Sequence, residues 1–264
     1  MLIYLFLTAA VISAAGFYRF VYFLSIGYSF SITGLTIAIT LLHFEALAPA
    51  VIPILAFVFI YSVRLGVFIL LREINSGSYK KVLGKVNEKY ERIPIFVKAF
   101  IWIFCVVLYV MQVSPLFFRL QNNMASSYPL WLSAGTVIVA LGLVIQTIAD
   151  AQKNAAKKKA PDRFVDSGLF RISRCPNYFG EALVWTGVFL SSAPCLRGWF
   201  QIVFAVTGYI GIIYIMFGSA RRLEIRQNKR YGENPEYQYY KKTTPVLIPG
   251  IPLYSIADWK WLFV

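Results

Sequence analysis

The chain has 264 residues, 58% hydrophobic and 14% charged, and a mean hydropathy of +0.63; that balance excludes a soluble domain and places the chain in a membrane. Its formal net charge is +14, so where the charges fall along the chain matters more than their sum. Three cysteines without paired spacing (Cys105, Cys175, Cys195) and one histidine, His43, support neither a disulfide framework nor a zinc or haem site, so no metal is expected and redox chemistry would rest on an organic cofactor.

Apolar runs of spanning length predict seven transmembrane helices in an all-α integral membrane protein, at about Leu2 to Phe17, Phe20 to Leu42, Ala46 to Leu71, Ile95 to Phe118, Tyr128 to Asp150, Phe179 to Leu196 and Trp199 to Ala220. The first run is short enough to pass for the core of a signal peptide. Only Met1 precedes it and no basic segment does, so it is read as a mature helix. In the third run Tyr61 and Arg64 stand three residues apart on one face, about two turns from its basic end. Arg64 can snorkel to the interface, but an arginine beside a tyrosine at this depth is also a functional candidate. The polar insertions from Arg72 to Pro94 and from Ala151 to Pro176 are too short for cores of their own, so the chain reads as one membrane domain over residues 1–264.

On the fifth run Gln146 and Asp150 are four residues apart and share a face, placed to hold a ribose, an adenine or a substrate hydroxyl; Asp150 alone reads equally as the end of the helix. The stretch from Ala155 to Lys159 reads as an exposed helix extension or a flexible loop. Asp162, Arg163 and Asp166 then lead into Gly168-Leu-Phe-Arg-Ile-Ser-Arg-Cys-Pro-Asn-Tyr-Phe-Gly-Glu181, the most informative segment of the chain. Its polar groups would each cost several kcal/mol if lipid surrounded them, on the order of the penalty for an unpaired buried polar group, so they need a ligand or partners. Arg171 and Arg174 are suited to clamping phosphate oxygens. Asn177 and Glu181 are again four apart at the start of the sixth run, beside Tyr178, and an asparagine amide can both donate to and accept from a carboxamide. Taken singly, Asn177 also reads as a helix N-cap and Glu181 as its capping partner or an arginine's counter-ion.

After the seventh run, Arg221 to Gly232, with Glu224 inside it, is expected to continue helically and stop at the glycine. Tyr237 and Tyr240 follow, before a proline-bounded apolar segment from Pro245 to Pro249. This tail reads either as a basic helix on lipid or as a lid or floor folded back under the bundle. Trp259 and Trp261 read as interfacial anchors.

The basic residues fall almost wholly on one side of this arrangement. Arg19, then Arg72, Lys80, Lys81, Lys85, Lys89 and Arg92, then Lys153 to Arg174, then the tail face the cytoplasm if the N-terminus is outside, leaving only Arg119 and Arg197 opposite. The positive-inside rule therefore predicts an N-out, C-in orientation. The net charge belongs to one face, where it meets anionic headgroups or a cytoplasmic anionic ligand such as a nucleotide; a nucleic-acid partner is not expected.

From Gln146 to Pro249, and above all in Ser173-Arg-Cys-Pro-Asn-Tyr-Phe-Gly-Glu181, the chain resembles the steroid 5-alpha-reductase superfamily, which commonly has Ser-Arg-His-Pro-Asn-Tyr-x-Gly-Glu there. The resemblance implies a seven-helix bundle binding NADPH from the cytoplasmic side, with a lipophilic substrate entering from the bilayer. It implies that Asn177 contacts the cofactor, that Gln146 and Asp150 hold the nucleotide, and that Arg163 and Arg171 serve its phosphates. Arg174, Tyr178, Glu181, Arg221, Glu224 and Tyr240 complete the expected cofactor-binding set. Tyr61 and Arg64 match a Tyr-x-x-Arg near the nicotinamide and the substrate carbonyl, and are the expected catalytic pair. A substrate half of about residues 1–120 and a cofactor half of about 128–255 follow, in a multi-pass monomer of the bacterial inner membrane surrounded by membrane lipids. Cys175 stands where the superfamily has histidine. Steroid-active members carry an early Gln-Glu pair, whereas this chain has no carboxylate in its first two predicted helices and Glu45 comes after them.

The expected activity is NADPH-dependent reduction of the carbon-carbon double bond of a lipophilic enone, such as a 3-oxo-delta-4 steroid, an oxidoreductase reaction on a CH-CH bond. The alternative is an S-adenosylmethionine-dependent prenyl or phospholipid methyltransferase of the isoprenylcysteine type, whose members share an Arg-His-Pro-x-Tyr-x-Gly motif and a tail like Glu236 to Tyr240. Asn177, Glu181 and Asp150 suit a nicotinamide dinucleotide, and a methyl donor has no phosphates for Arg163 and Arg171. A third reading is a non-enzymatic protein whose basic face recruits anionic lipids or scaffolds partners.

Overall fold

The computed structural model describes residues 1–75, 84, 88, 90 and 93–262. Lys80, Lys81, Lys85, Lys89 and Arg92, assigned above to a cytoplasmic loop, lie outside the described residues. Among the described residues the regular structure is helical throughout: α1 (Leu2–Ser13), α2 (Ala15–Tyr18), α3 (Ile26–Leu42), α4 (Ile52–Asn75), α5 (Ile95–Gln121), α6 (Pro129–Lys159), α7 (Pro176–Ser192), α8 (Gly198–Tyr231) and α9 (Pro235–Thr243), with short 3-10 turns between some of them. Four of these, α4, α5, α6 and α8, are long and apolar enough to cross a membrane. The segment Leu2–Tyr18 and α3 are shorter apolar helices.

The helix boundaries depart from the sequence expectation at the start of the chain, whereas the helical extension after the seventh run follows it. The first two runs meet in a break: α1 stops at Ser13, Arg19 is extended, and a 3-10 turn over Phe20–Leu24 delays α3 to Ile26. Gly16 allows the break, because a Cβ there would overlap the Phe23 ring. By contrast α6 continues through Asp150 to Lys159, so the lysine-rich stretch is a helix extension. Ala, Gln and Lys sustain a helix by intrinsic propensity without any apolar face. The seventh run likewise continues without interruption to Tyr231, just before Gly232.

The chain forms two compact units. The first, Met1–Thr136 with Val188–Tyr209, packs α1, α3, α4 and α5 around Leu5, Ile32, Leu35, Ile39, Ile54 and Val58, all essentially inaccessible. Polar groups lace its interior. Thr33 Oγ1 on α3 donates to Ser62 Oγ on α4 at 2.9 Å, and the hydroxyls of Tyr28 and Tyr61 lie 3.1 Å apart. Arg119, at the end of α5, is fully buried. It donates to the carbonyls of Ser191 at 2.7 Å and Ala125 at 3.3 Å, to that of Ser127, and to Cys195 Sγ at 3.0 Å. This residue, expected in a solvated outer loop, is thus an internal clamp on backbone carbonyls.

The second unit, Val137–Gly187 with Ile210–Val264, is built on a close crossing of α6 and α7. A Cβ on Gly142 would lie 2.5 Å from the Gly180 carbonyl oxygen, and one on Gly180 would lie 2.7 Å from that of Gly142. Paired small residues let two helix backbones approach this closely. Beside the crossing, Cys175, Ala220, Val246, Leu247 and Ile256 form a buried apolar cluster that ties the motif to α8 and the tail.

Candidate functional site

The candidate cofactor residues of the second unit gather from the α6–α7 crossing, the segment that precedes α7, the end of α8, and the tail. One turn beyond Gly142 on α6, Gln146 is 2% exposed and its Nε2 donates to Glu181 Oε2 on α7 at 3.1 Å. Asp150, a further turn along, is 7% exposed and lies mid-helix, so the reading in which it merely ends the helix does not hold. Because α7 begins at Pro176, Asn177 lies inside its first turn and is not its N-cap. The Asn177 Oδ1 atom is buried and has no hydrogen-bond partner among the described residues. Glu181 accepts from Gln146 across the helix crossing, a role distinct from a capping box.

The segment before α7 is shaped by its own polar groups. Gly168 takes a positive φ of 61°, and a side chain there would strike Gln152, whose Oε1 accepts from Leu169 N at 2.8 Å. Ser173 Oγ donates to the Leu247 carbonyl at 2.8 Å and accepts from Cys175 N at 3.2 Å. Arg174 is buried against Glu224: Nη2 donates to Glu224 Oε1 at 3.1 Å and to the Tyr254 carbonyl at 2.6 Å. The other oxygen of Glu224 accepts from Ile256 N at 2.9 Å. One ion pair therefore joins the motif, α8 and the tail. Arg174 Nε and Nη1 are buried without hydrogen-bond partners among the described residues, a second set of such polar atoms in the same motif.

The tail folds over the motif and brings the short helix α9 against it. Arg174 N donates to the Pro245 carbonyl at 2.8 Å, and Tyr240 Oη to the Phe170 carbonyl at 2.7 Å. The Phe164 ring stacks on Tyr240, with centroids 5.4 Å apart, and meets Tyr237 edge-on at 5.3 Å. Tyr237 Oη donates to Asn228 Oδ1 at 2.9 Å. Burial pushes the Tyr237 phenol up to about 12 despite the opposing charge of Arg174, and raises that of Tyr240 as well. Burial likewise pushes the Cys175 thiol up to about 12, against the pull of Arg174 and Lys153. Cys175 is a neutral packing residue in this setting, not a nucleophile.

The arginines divide by role. Arg163 is exposed and bonded to Asp166 and Glu236, each at 2.9 Å, and the Asp166 carboxylate foremost raises its pKa. With Arg171, Asp166, Glu236 and Tyr240 it lines a cavity of about 490 Å³. Arg221 Nε donates to the Ala257 carbonyl at 3.0 Å, so it holds the C-terminal segment. Tyr178 packs against the Cys175 cluster. A larger cavity, about 930 Å³, is framed by Asn228 to Glu236 at the turn between α8 and α9 and shares only Glu236 with the first. Tyr61 and Arg64 belong to α4 of the first unit, where Tyr61 is fully buried and Arg64 half-buried.

Several structuring residues are not apparent from the sequence. Gln152, six residues past Gln146, gave no signal apart from its polarity. The small-residue pair Gly142 and Gly180 is visible only as two glycines in apolar helices, and Tyr28 as one of 17 tyrosines.

The chain belongs to the family described as Protein of unknown function (DUF1295), whose model matches residues 12–244. It is similar to the uncharacterized protein C594.04c of Schizosaccharomyces pombe, with 26% identity over 181 residues covering 60% of this chain and 50% of that protein. The chain thus spans about half the length of this curated relative. No solved structure matches.

Proposed function

We propose that this DUF1295 protein is an NADPH-dependent reductase of the carbon-carbon double bond of a lipophilic enone, related to the steroid 5-alpha-reductase superfamily and working as a multi-pass protein of the cell membrane. The observation that carries the reading is the buried, unpartnered Asn177 Oδ1 next to a motif that also holds two unpartnered donors of Arg174. Buried polar atoms are rarely left unmet, so this wall fits a ligand with both donor and acceptor groups, as a carboxamide has. The buried Gln146–Glu181 pair and Asp150 add hydroxyl-binding capacity on the same two helices. Arg171, exposed on the rim of the smaller cavity, and Arg163 supply the phosphate-binding charge.

NADPH, when bound, would supply a hydride to the β carbon of the enone. The residues of the chain would orient both partners and stabilise the negative charge that develops on the enone oxygen. Asn177 would fix the carboxamide, and Gln146 and Asp150 the sugar. Tyr61 is assigned the hydrogen-bond donor to the enone oxygen, with Arg64 orienting it or the nicotinamide, on the resemblance of Tyr-x-x-Arg. The test is NADPH oxidation by detergent-solubilised protein against a panel of enones that includes a 3-oxo-delta-4 steroid. Enone-dependent oxidation is expected. Methyl transfer from S-adenosylmethionine to a prenyl or phospholipid acceptor, without NADPH oxidation, would replace the reading with its alternative.

A further inference from the structure

The two arginines of the smaller cavity are not equivalent. Arg171 is exposed, and among the described residues no hydrogen bond or ion pair engages its side chain. The guanidinium of Arg163 is occupied twice: Nη2 donates to Asp166 Oδ2 and Nη1 to Glu236 Oε2, each at 2.9 Å. The two arginines and the two carboxylates that line the cavity therefore cancel in charge. Asp166 is three residues from Arg163 and travels with it, whereas Glu236 reaches it from the first turn of α9, 73 residues along the chain. A helix N-terminus favours negative charge, so the Glu236 carboxylate keeps a favourable setting when Arg163 lets it go. Of the two contacts, the one to Glu236 is the one that can part.

We propose that Glu236 is an internal competitor for the terminal phosphate of the cofactor: it holds Arg163 until the 2′-phosphate of NADPH takes its place, and it takes Arg163 back as the spent nucleotide leaves. The proposal rests on the reading of NADPH as the ligand. A phosphomonoester carries nearly two negative charges near neutral pH and three acceptor oxygens, against one charge and two oxygens for a carboxylate, and so wins the guanidinium. The exchange costs little, because the side chains of Arg163 and Glu236 are 49% and 65% exposed and exposed ion pairs are weak. That exposure also fits the end of a ligand, which stays hydrated on its outer side, better than the middle of one. Arg171, with no carboxylate to surrender, is the fixed cation of the same cavity.

The experiment is calorimetric titration of the full-length, detergent-solubilised protein with NADPH, NADH and adenosine 2′,5′-bisphosphate. It compares wild type, Glu236→Gln, Arg163→Gln and the double variant, with Glu233→Gln as the control, an acid of the same turn that lines only the larger cavity. Glu236→Gln should bind NADPH and the bisphosphate about threefold more tightly, the size expected for one exposed ion pair that no longer has to be broken, and NADH no more tightly. Glu233→Gln should match wild type. Arg163→Gln should bind NADPH more weakly than wild type, and adding Glu236→Gln to it should bring no gain. Unchanged or weaker NADPH binding in Glu236→Gln overturns the proposal. So does an equal gain in Glu233→Gln, with NADH, or on the Arg163→Gln background, since each marks a general loss of negative charge and not a competition for Arg163. Wild type that binds the bisphosphate, and binds it more tightly as Glu236→Gln, but never binds NADPH overturns the cofactor reading while the competition stands. NADPH binding that Glu236→Gln leaves unchanged overturns the competition only, and wild type that binds none of the three overturns both.

Discussion

Asn177 and Arg174, three residues apart, show how two polar groups of one motif can serve different ends. Asn177 keeps a buried acceptor that nothing among the described residues meets, and in the proposed reading the cofactor meets it. Asn177→Ala should weaken NADPH binding about tenfold, the loss of roughly one buried hydrogen bond, as read by calorimetric titration; unchanged affinity would remove it from the site. Arg174 and Glu224 are 2% and 1% exposed at their side chains and hold three segments together. Glu224→Ala should destabilise the protein by about 3–5 kcal/mol, because it strands a buried guanidinium, while the double change to Arg174→Met and Glu224→Leu should recover much of that loss. Thermal unfolding in detergent checks both, and a double variant no more stable than the single one contradicts the assignment. The sequence marks Arg174 as a phosphate clamp by its motif, and only the folded tail reveals Glu224 as its partner, since the two are 50 residues apart.

At the scale of the element, the tail is the part whose alternatives the structure separates. A basic helix on lipid and a cover over the motif have the same composition; hydrogen bonds from Tyr240 to Phe170 and from Ser173 to Leu247 make it the cover. Tyr237 gives this cover a pH limit. Burial raises its phenol from the ordinary tyrosine range to about 12, so the unfolded tail ionises first as pH rises. Its contribution to docking is complete below about pH 10 and is lost as pH climbs through the folded value. Limited proteolysis should therefore find the segment after Gly232 protected at neutral pH and cut progressively above about pH 10, and Tyr237→Phe should blunt that dependence. Protection that persists unchanged to about pH 12 would contradict the burial of this phenol. The continuation of α8 to Tyr231 was legible because Arg, Glu, Gln and Lys favour helix and glycine follows. The break between α1 and α3 was not, because it depends on the fit of Gly16 against Phe23, which hydrophobic periodicity does not encode.

At the scale of the molecule, hydropathy alone carries the statement that this is a helical membrane protein, and four helices meet the length and composition needed to span. Charge asymmetry supplies an expected orientation that fusion reporters at each terminus would test. Arg119 shows the limit of that reasoning: a charge counted toward an outer loop is instead buried against the Ser191 carbonyl and carbonyls of the turn that follows it. The central claim is that the polar wall of the second unit binds a nicotinamide dinucleotide. Calorimetric titration of purified protein with NADPH and, separately, with S-adenosylmethionine tests it most directly. Saturable binding of NADPH that weakens in Asn177→Ala is the predicted result, and binding of S-adenosylmethionine with none of NADPH would contradict it.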